Sequence, residues 1–177
     1  MNLAKADNML SLDDIRYAAP EGAEVEIAFR NVTKRFGDLV AVDDLSLDIH
    51  KGALVALLGK TGCGKSTMFN MISGLMKPTS GEVEVMGLSP FREFDKFRGK
   101  MAIVFQTDRL LPWRTAVKNV EFGLETLGLP QKERTERAMH WLSALGLKGH
   151  ENDYPHALSG GMRQRVSISR AFATDAP

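Results

Sequence analysis

Cysteine is nearly absent from this chain, and what the sequence lacks excludes several classes of protein. Its 177 residues contain one cysteine, Cys63, so no intramolecular disulfide can form, and a reduced cytosolic setting fits. No apolar run reaches the roughly 18 residues that a membrane-spanning helix needs. The formal net charge is only +1, so no basic excess points to nucleic acid as a partner. Charged residues interrupt the first 14 positions, so no secretory signal peptide is expected.

Length and composition predict one or two globular domains. Hydrophobic residues make up 44% of the chain, which is an ordinary share for a globular protein. Residues 1–22 are mixed in polarity and end in the turn-forming sequence Pro20-Glu21-Gly22. We therefore expect residues 1–22 to be an N-terminal extension and residues 23–177 to be the folded part.

The most informative stretch is residues 59–67, GKTGCGKST, which fits the phosphate-loop pattern G-x-x-x-x-G-K-[ST]. The apolar run 53–58 precedes it and is predicted to be a buried strand, and apolar residues at helical spacing follow it. Glycine lets the backbone come close to phosphates, and the start of the helix offers unpaired N–H donors. We predict that the nucleotide is contacted by Gly59, Lys60, Thr61, Gly62, Cys63, Gly64, Lys65, Ser66 and Thr67.

Three of these residues have chemistry of their own. The Lys65 ammonium is expected to act in catalysis near the β- and γ-phosphates of ATP, and the Ser66 hydroxyl is expected to bind Mg²⁺. Cys63 lies at a helix start beside Lys65, which predicts a reactive thiol that ATP protects from alkylation. A small filler of the loop is the alternative for Cys63. For the whole motif the alternative is a glycine-rich turn that binds nothing, and the Lys-Ser pair argues against it.

Periodicity predicts an α/β protein. Alternating apolar residues predict strands over residues 25–36, 45–49 and 82–85, and the apolar run 101–105 is predicted to be a core strand. Gln106 follows at the end of that strand, where open α/β sheets bind ligands, and its amide oxygen suits Mg²⁺. A plain loop residue is the alternative. Residues 113–155 have helical spacing, with a charged face between Lys132 and Arg137 that we interpret as solvated.

A second motif narrows the class of nucleotide-binding protein. Residues 158–165, LSGGMRQR, resemble the signature of ATP-binding-cassette (ABC) ATPases, and Gln106 matches the glutamine loop of that family. The resemblance covers about residues 24–177. It implies a P-loop NTPase fold with a RecA-like core and an antiparallel β-subdomain over residues 23–111. An inserted helical subdomain is implied over residues 112–157, and the signature helix over residues 158–177.

The signature also has a physical interpretation of its own. Ser159 can cap a helix over about residues 160–173, while Gly160 and Gly161 leave its first N–H groups uncovered, which makes a second anion site. An ordinary capped helix start is the alternative for Ser-Gly-Gly taken alone. In the family the signature closes on the γ-phosphate held by a second ATP-binding subunit. The resemblance therefore implies a dimer, expected to be a homodimer, that encloses two ATP molecules.

The resemblance implies further contacts. Phe36, before Gly37, lies where the family stacks an aromatic ring on adenine, and a buried core position is the alternative. Leu110, Leu111 and Trp113 follow the glutamine loop and are candidates for contact with a transmembrane permease subunit; packing within the helical subdomain is the alternative. A periplasmic solute-binding protein would be an indirect partner. The expected location is peripheral, on the cytoplasmic face of the inner membrane.

The implied function is ATP hydrolysis that powers an importer for a small solute. Residues 111–115, LPWRT, and 154–156, YPH, resemble the nitrate, sulfonate and taurine branch. Family members carry a metal-binding aspartate, a catalytic glutamate and a switch histidine beyond the position of Pro177, so we expect this sequence to be incomplete at its C-terminus. One alternative is a truncated, non-catalytic nucleotide-binding module. Another is a soluble ABC-type ATPase of DNA repair or translation, against which the near-zero net charge argues.

Overall fold

The computed structural model describes residues 22–176, which divide into two compact units between Lys96 and Phe97. The predicted N-terminal extension lies outside the described residues, apart from Gly22. The boundaries predicted after residues 111 and 157 remain predictions. The two units are described separately below.

The first unit is an antiparallel sheet covered on one face by a helix. Strand β1 (Val25–Phe36) lies in the centre, between β2 (Leu39–His50) and β3 (Ser80–Val85). Helix α1 (Lys65–Ile72) turns Met68 and Met71 inward onto the sheet. The buried cluster that joins them consists of Phe29, Val32, Val42, Leu45, Met68, Met71 and Val83. The predicted antiparallel β-subdomain is therefore present, and helix α1 begins directly after the glycine loop.

The second unit is helical. Its helices among the described residues are α2 (Ala116–Glu125), α3 (Gln131–Ala144) and α4 (Gly160–Ala173), and a 3₁₀ turn at Pro155–Ala157 leads into α4. Their apolar faces and two leucines of the connection between α3 and α4 form one core of Ala116, Val117, Val120, Leu124, Ala138, Leu142, Leu147, Leu158, Val166 and Ala173. Within residues 22–176, no helix combines the length and the apolar character that crossing a membrane requires.

The outer face of α3 is charged and exposed, as its sequence predicts. Arg137 donates to Glu133 at 2.8 Å, and the Lys132 ammonium lies 4.0 Å from the Glu136 carboxylate. In each pair the two residues are four positions apart, which is about one helical turn. Such exposed pairs contribute a few tenths of a kcal/mol each. Lys132, Glu133, Glu136 and Arg137 thus form a largely solvated face, whereas Arg134 is half-buried and donates to the carbonyl of Leu129 at 3.0 Å.

Two strand predictions are wrong. Residues 53–58 and 101–105 form no strand, and Leu54 and Leu58 are 98% and 68% exposed rather than buried. A strand requires a neighbour to complete its hydrogen-bond ladder, and the sheet that the described residues form consists of β2, β1 and β3 alone. Neither segment has a partner strand among the described residues. Both runs are apolar, but an apolar run alone does not determine whether a partner strand lies beside it.

The candidate nucleotide-binding loop and the signature helix

The loop before α1 depends on glycine at defined positions. Gly59, Gly62 and Gly64 have φ angles of 148°, 86° and 100°, a region that other residues rarely adopt. A Cβ atom on Gly64 would lie 2.4 Å from the carbonyl oxygen of Ala41 in β2. The loop therefore rests directly on the sheet, and Gly64 allows both the sharp turn and this close approach.

Lys65 closes the loop with its side chain. Its ammonium donates hydrogen bonds to the carbonyl oxygens of Gly59 at 2.7 Å and Lys60 at 2.8 Å, and it lies 3.3 Å from the sulfur of Cys63. These bonds bring the positive charge to the turn that a phosphate would occupy. Phosphate oxygens are charged acceptors and form stronger bonds with an ammonium than neutral carbonyls do. The loop thus keeps its cation within reach of an anionic ligand.

Cys63 fills the inside of the loop. The residue is 4% exposed, and its sulfur lies 2.7 Å from where a Cβ on Gly59 would be. A reactive cysteine needs access to reagents as well as a positive neighbour. Burial therefore favours the alternative of a small loop filler, while protection of the thiol by ATP remains a prediction.

The start of α1 is suited to an anion. Gly64 occupies the N-cap position and offers no capping side chain, so none competes with a ligand for the N–H groups of the first turn. Ser66 lies in that turn and is exposed. The other predicted metal ligand, Gln106, is an exposed residue of the second unit. A hydroxyl and an amide oxygen are the hard ligands that Mg²⁺ prefers, so the donor chemistry of both residues fits the ion.

Phe36 is an exposed aromatic residue. Its exposed fraction is 45%, and the Lys34 ammonium lies 5.1 Å from the centre of its ring. The alternative of a core position is therefore wrong. An exposed ring of this kind can stack on a planar base, and adenine stacking stays a prediction.

The signature helix caps itself. The Ser159 hydroxyl accepts a hydrogen bond from the backbone N–H of Met162 at 3.3 Å, and α4 spans residues 160–173 as predicted. A Cβ on Gly161 would meet nothing within 4 Å, and one on Gly160 would meet only Arg163, at 3.8 Å. The predicted cap is confirmed, and the two glycines leave open space above the first turn.

Residues 105–109, on both sides of Gln106, are bound to the signature helix by contacts that the sequence did not reveal. Arg163 donates to the Asp108 carboxylate at 2.9 Å, and Gln164 donates to the carbonyl of Phe105 at 3.4 Å. Arg170 donates to the carbonyls of Asp108 and Arg109, both at 3.1 Å. Burial lowers the pKa of Arg170, and the nearby charge of Asp108 opposes this effect. These contacts span more than fifty residues of sequence, and no local pattern signals them.

The three candidates for partner contact separate into different environments. Trp113 is 71% exposed, whereas Leu110 packs against the core of the second unit. The backbone of Leu111 exchanges hydrogen bonds with the buried Asn119, at 2.7 and 3.1 Å. Asn119 also donates to the carbonyl of Arg114 at 2.9 Å. The loop around Trp113 is therefore anchored by Asn119, and of the three candidates Trp113 has the most exposed side chain.

A glycine loop that leads into an uncapped helix with an ammonium at its turn is an arrangement that binds phosphate groups. The second unit has a helix start of its own with uncovered glycines, at the beginning of α4. Residues 42–177 match the ABC transporter family. The chain belongs to that family.

Relatives and solved structures agree with this assignment. The chain is 46% identical over 155 residues to the spermidine/putrescine import ATP-binding protein PotA of Rubrobacter xylanophilus, covering 88% of this chain and 41% of that protein. It is 42% identical over 145 residues to the aliphatic sulfonates import ATP-binding protein SsuB 1 of Mesorhizobium japonicum, covering 82% and 52%. The chain thus spans about half the length of these curated relatives.

A solved ATP-binding cassette, described as a dimer in a post-hydrolysis state bound to ADP and Pi, matches the fold with a TM-score of 0.77. The two chains are 36% identical, and the match covers 85% of this chain and 71% of the other. The predicted fold class is confirmed by this match, since the fold is that of an ABC ATPase cassette.

Proposed function

We propose that this chain is the ATP-binding and ATP-hydrolysing region of a subunit that powers an importer. The observation that carries the proposal is the Lys65 ammonium, held 2.7–2.8 Å from two carbonyls of the glycine loop at the start of α1. Lys65 would stabilise charge on the β- and γ-phosphates, and the N–H groups of the loop would hold them. Ser66 and Gln106 would hold Mg²⁺, which neutralises the charge that develops on the phosphates. Phe36 would stack on adenine.

The partners follow from the signature helix and from Trp113. Ser159, Gly160 and Gly161 would bind the γ-phosphate held by a second ATP-binding subunit, so two ATP molecules would lie between two chains. A dimer is the state described for the solved cassette reported above. Trp113, which is 71% exposed on an anchored loop, would contact a transmembrane permease. The subunit would then act at the cytoplasmic face of the inner membrane, with a solute-binding protein as an indirect partner.

The finer proposal concerns the solute. Residues 111–115 and 154–156 support an importer of nitrate, sulfonate or taurine, and one relative is named for aliphatic sulfonates. Another relative is named for spermidine and putrescine. Uptake of labelled taurine and labelled putrescine by cells with and without the gene distinguishes the two. Loss of taurine uptake alone supports the branch, and loss of putrescine uptake alone contradicts it.

Phosphate release by the native full-length protein tests the proposed function. Replacing Lys65 by alanine removes the ammonium that donates to the carbonyls of Gly59 and Lys60, and we expect the rate to fall about 100-fold or more. Lys132→Ala is the matched control, because Lys132 lies on the exposed face of α3, where its ion pair is 4.0 Å long. This control is expected to keep the original rate.

Three outcomes are informative. Turnover that disappears in Lys65→Ala and persists in Lys132→Ala supports an ATP hydrolase. Nucleotide binding without turnover in the native protein would favour the non-catalytic nucleotide-binding module. Equal turnover in the native protein and in Lys65→Ala would show that the measured hydrolysis does not come from this loop.

A further inference from the structure

The segment 105–109 has an unusual backbone where it meets α4. Arg109 has a φ angle of 47°, in the left-handed region that residues with side chains avoid. Its guanidinium lies over the ring of Phe105, with its central carbon 4.0 Å from the ring centre. A left-handed residue of this kind costs free energy and persists only where its surroundings hold it.

Arg170 provides part of that hold. Its guanidinium donates from separate nitrogens to the carbonyls of Asp108 and Arg109, each at 3.1 Å. These are the two successive carbonyls on either side of the left-handed turn. A planar guanidinium can bridge two such acceptors in a fixed geometry, which a lysine cannot do. Arg170 thus fixes the conformation of the turn, not only its position.

Arg163 holds the same segment from the first turn of the signature. Its Nε donates to Asp108 at 2.9 Å, and its Nη1 donates to the carbonyl of Leu158 at 2.8 Å. The other carboxylate oxygen of Asp108 accepts from the backbone N–H of Leu110 at 3.4 Å. One arginine therefore connects the start of the signature to the turn that begins two residues after Gln106.

We infer that Arg163 and Arg170 are positioning residues of the ATPase reaction, which bind the glutamine-loop segment to the signature helix so that the two move together. The inference rests on the proposed function, because it gives that linkage a role in turnover. A displacement of α4 on closing over a partner's phosphate would be transmitted to residues 105–109. The backbone directly following Gln106 would shift with it, so that Gln106 would be placed according to the state of the signature.

The test uses Arg163→Gln in the native full-length protein and measures two quantities. Amide hydrogen exchange over residues 105–110 is expected to quicken about tenfold, because a charge-assisted bond is lost. The kcat of ATP hydrolysis is expected to fall about tenfold while KM stays within about twofold, because positioning is lost and nucleotide binding is not. Arg163→Lys keeps the charge and should restore part of both.

Two further variants make the result specific. Asp108→Asn removes the same ion pair from its other side, and the double variant Asp108→Asn/Arg163→Gln should be no worse than either single one. The control is Arg137→Gln, which breaks the 2.8 Å pair with Glu133 on α3, away from this segment. We expect it to leave exchange over residues 105–110 and kcat unchanged.

Unchanged exchange in both Arg163→Gln and Asp108→Asn would overturn the inference, and so would a quickened exchange with kcat unchanged. A rise in KM with kcat unchanged would also contradict it, because that pattern belongs to a binding residue. A native protein that releases no phosphate would refute the proposed function instead. The exchange experiment needs no turnover, so it still decides whether Arg163 holds the segment.

Discussion

The two helices that follow glycine-rich sequences, α1 and α4, begin in different ways. Helix α1 starts at Gly64, which has a φ angle of 100° and no capping side chain, and it is followed by Lys65. Helix α4 starts at Ser159, which has an ordinary extended backbone and caps the helix with its hydroxyl. The N-terminus of α1 therefore depends on the backbone conformation of Gly64, whereas the N-terminus of α4 depends on the hydrogen bond of the Ser159 side chain.

This difference extends to the surroundings of each helix. The glycine loop is closed by bonds from Lys65 to backbone carbonyls, and it rests on β2 where only glycine fits. In the second unit, side-chain hydrogen bonds hold the loops to the helices instead. Asn119 donates to the carbonyl of Arg114 in the loop around Trp113, and Arg163 donates to the Asp108 carboxylate. We conclude that adding a Cβ should damage the start of α1, and that removing a polar group should damage the start of α4 and the segment bound to it.

The largest effect is expected from Gly64→Ala. The new Cβ would lie 2.4 Å from the carbonyl oxygen of Ala41. The alanine would also have to keep the φ angle of 100° that Gly64 has. We expect the free energy of unfolding to fall by about 2–5 kcal/mol, from backbone strain and overpacking together. Nucleotide binding should be lost as well, since the loop would have to leave the sheet. Thermal unfolding and nucleotide titration measure these two effects.

Gly160→Ala is the matched test in α4. There a Cβ would meet only Arg163, at the ordinary distance of 3.8 Å, and alanine is a better helix former than glycine. We expect unchanged or slightly raised thermal stability. A loss of stability equal to that of Gly64→Ala would remove the distinction between the two helix starts.

Sequence patterns predicted the elements whose signals are local. The bounds 25–36 and 160–173 agree with β1 and α4, and the Ser159 cap follows from residue type alone. The runs 53–58 and 101–105 were assigned wrongly, because strand formation depends on a distant partner that an apolar run does not identify. The contacts of Arg163 and Arg170 with residues 108 and 109 were missed for the same reason. They join residues 55 to 62 positions apart, and a left-handed arginine has no sequence signature.

The next effect concerns Glu121, a side chain only 1% exposed between α2 and α3. It accepts hydrogen bonds from Lys118 at 2.7 Å, Thr135 at 2.8 Å and Gln131 at 3.1 Å. Burial acts to raise the pKa of Glu121, but these hydrogen bonds outweigh it, and the pKa is lowered from the ordinary 4.5. Glu121→Ala is expected to cost about 2 kcal/mol of stability, because three donors lose their acceptor.

The lowered pKa of Glu121 fixes the sign of a pH dependence. The ionised form is favoured by folding, so its contribution is complete above pH 4.5 and is lost as the pH falls through the lower pKa of the folded state. Glu121→Gln should therefore flatten the fall in thermal stability below pH 4.5. Glu133→Ala, an exposed partner of Arg137, is the control and should change stability by less than about 0.5 kcal/mol. Parallel pH profiles for Glu121→Gln and the original protein would contradict the assignment.

A smaller loss of stability than that of Glu121→Ala is expected from Ser159→Ala, which tests the second helix start directly. Removing the hydroxyl leaves the N–H of Met162 without its 3.3 Å acceptor, and the typical loss is about 1 kcal/mol. Ser159→Gly should cost only a few tenths of a kcal/mol, because glycine is itself an acceptable N-cap residue. Chemical denaturation of both variants measures the difference. If alanine and glycine were equal, the hydroxyl would not stabilise α4, and the contrast with the uncapped start of α1 would rest on backbone conformation alone.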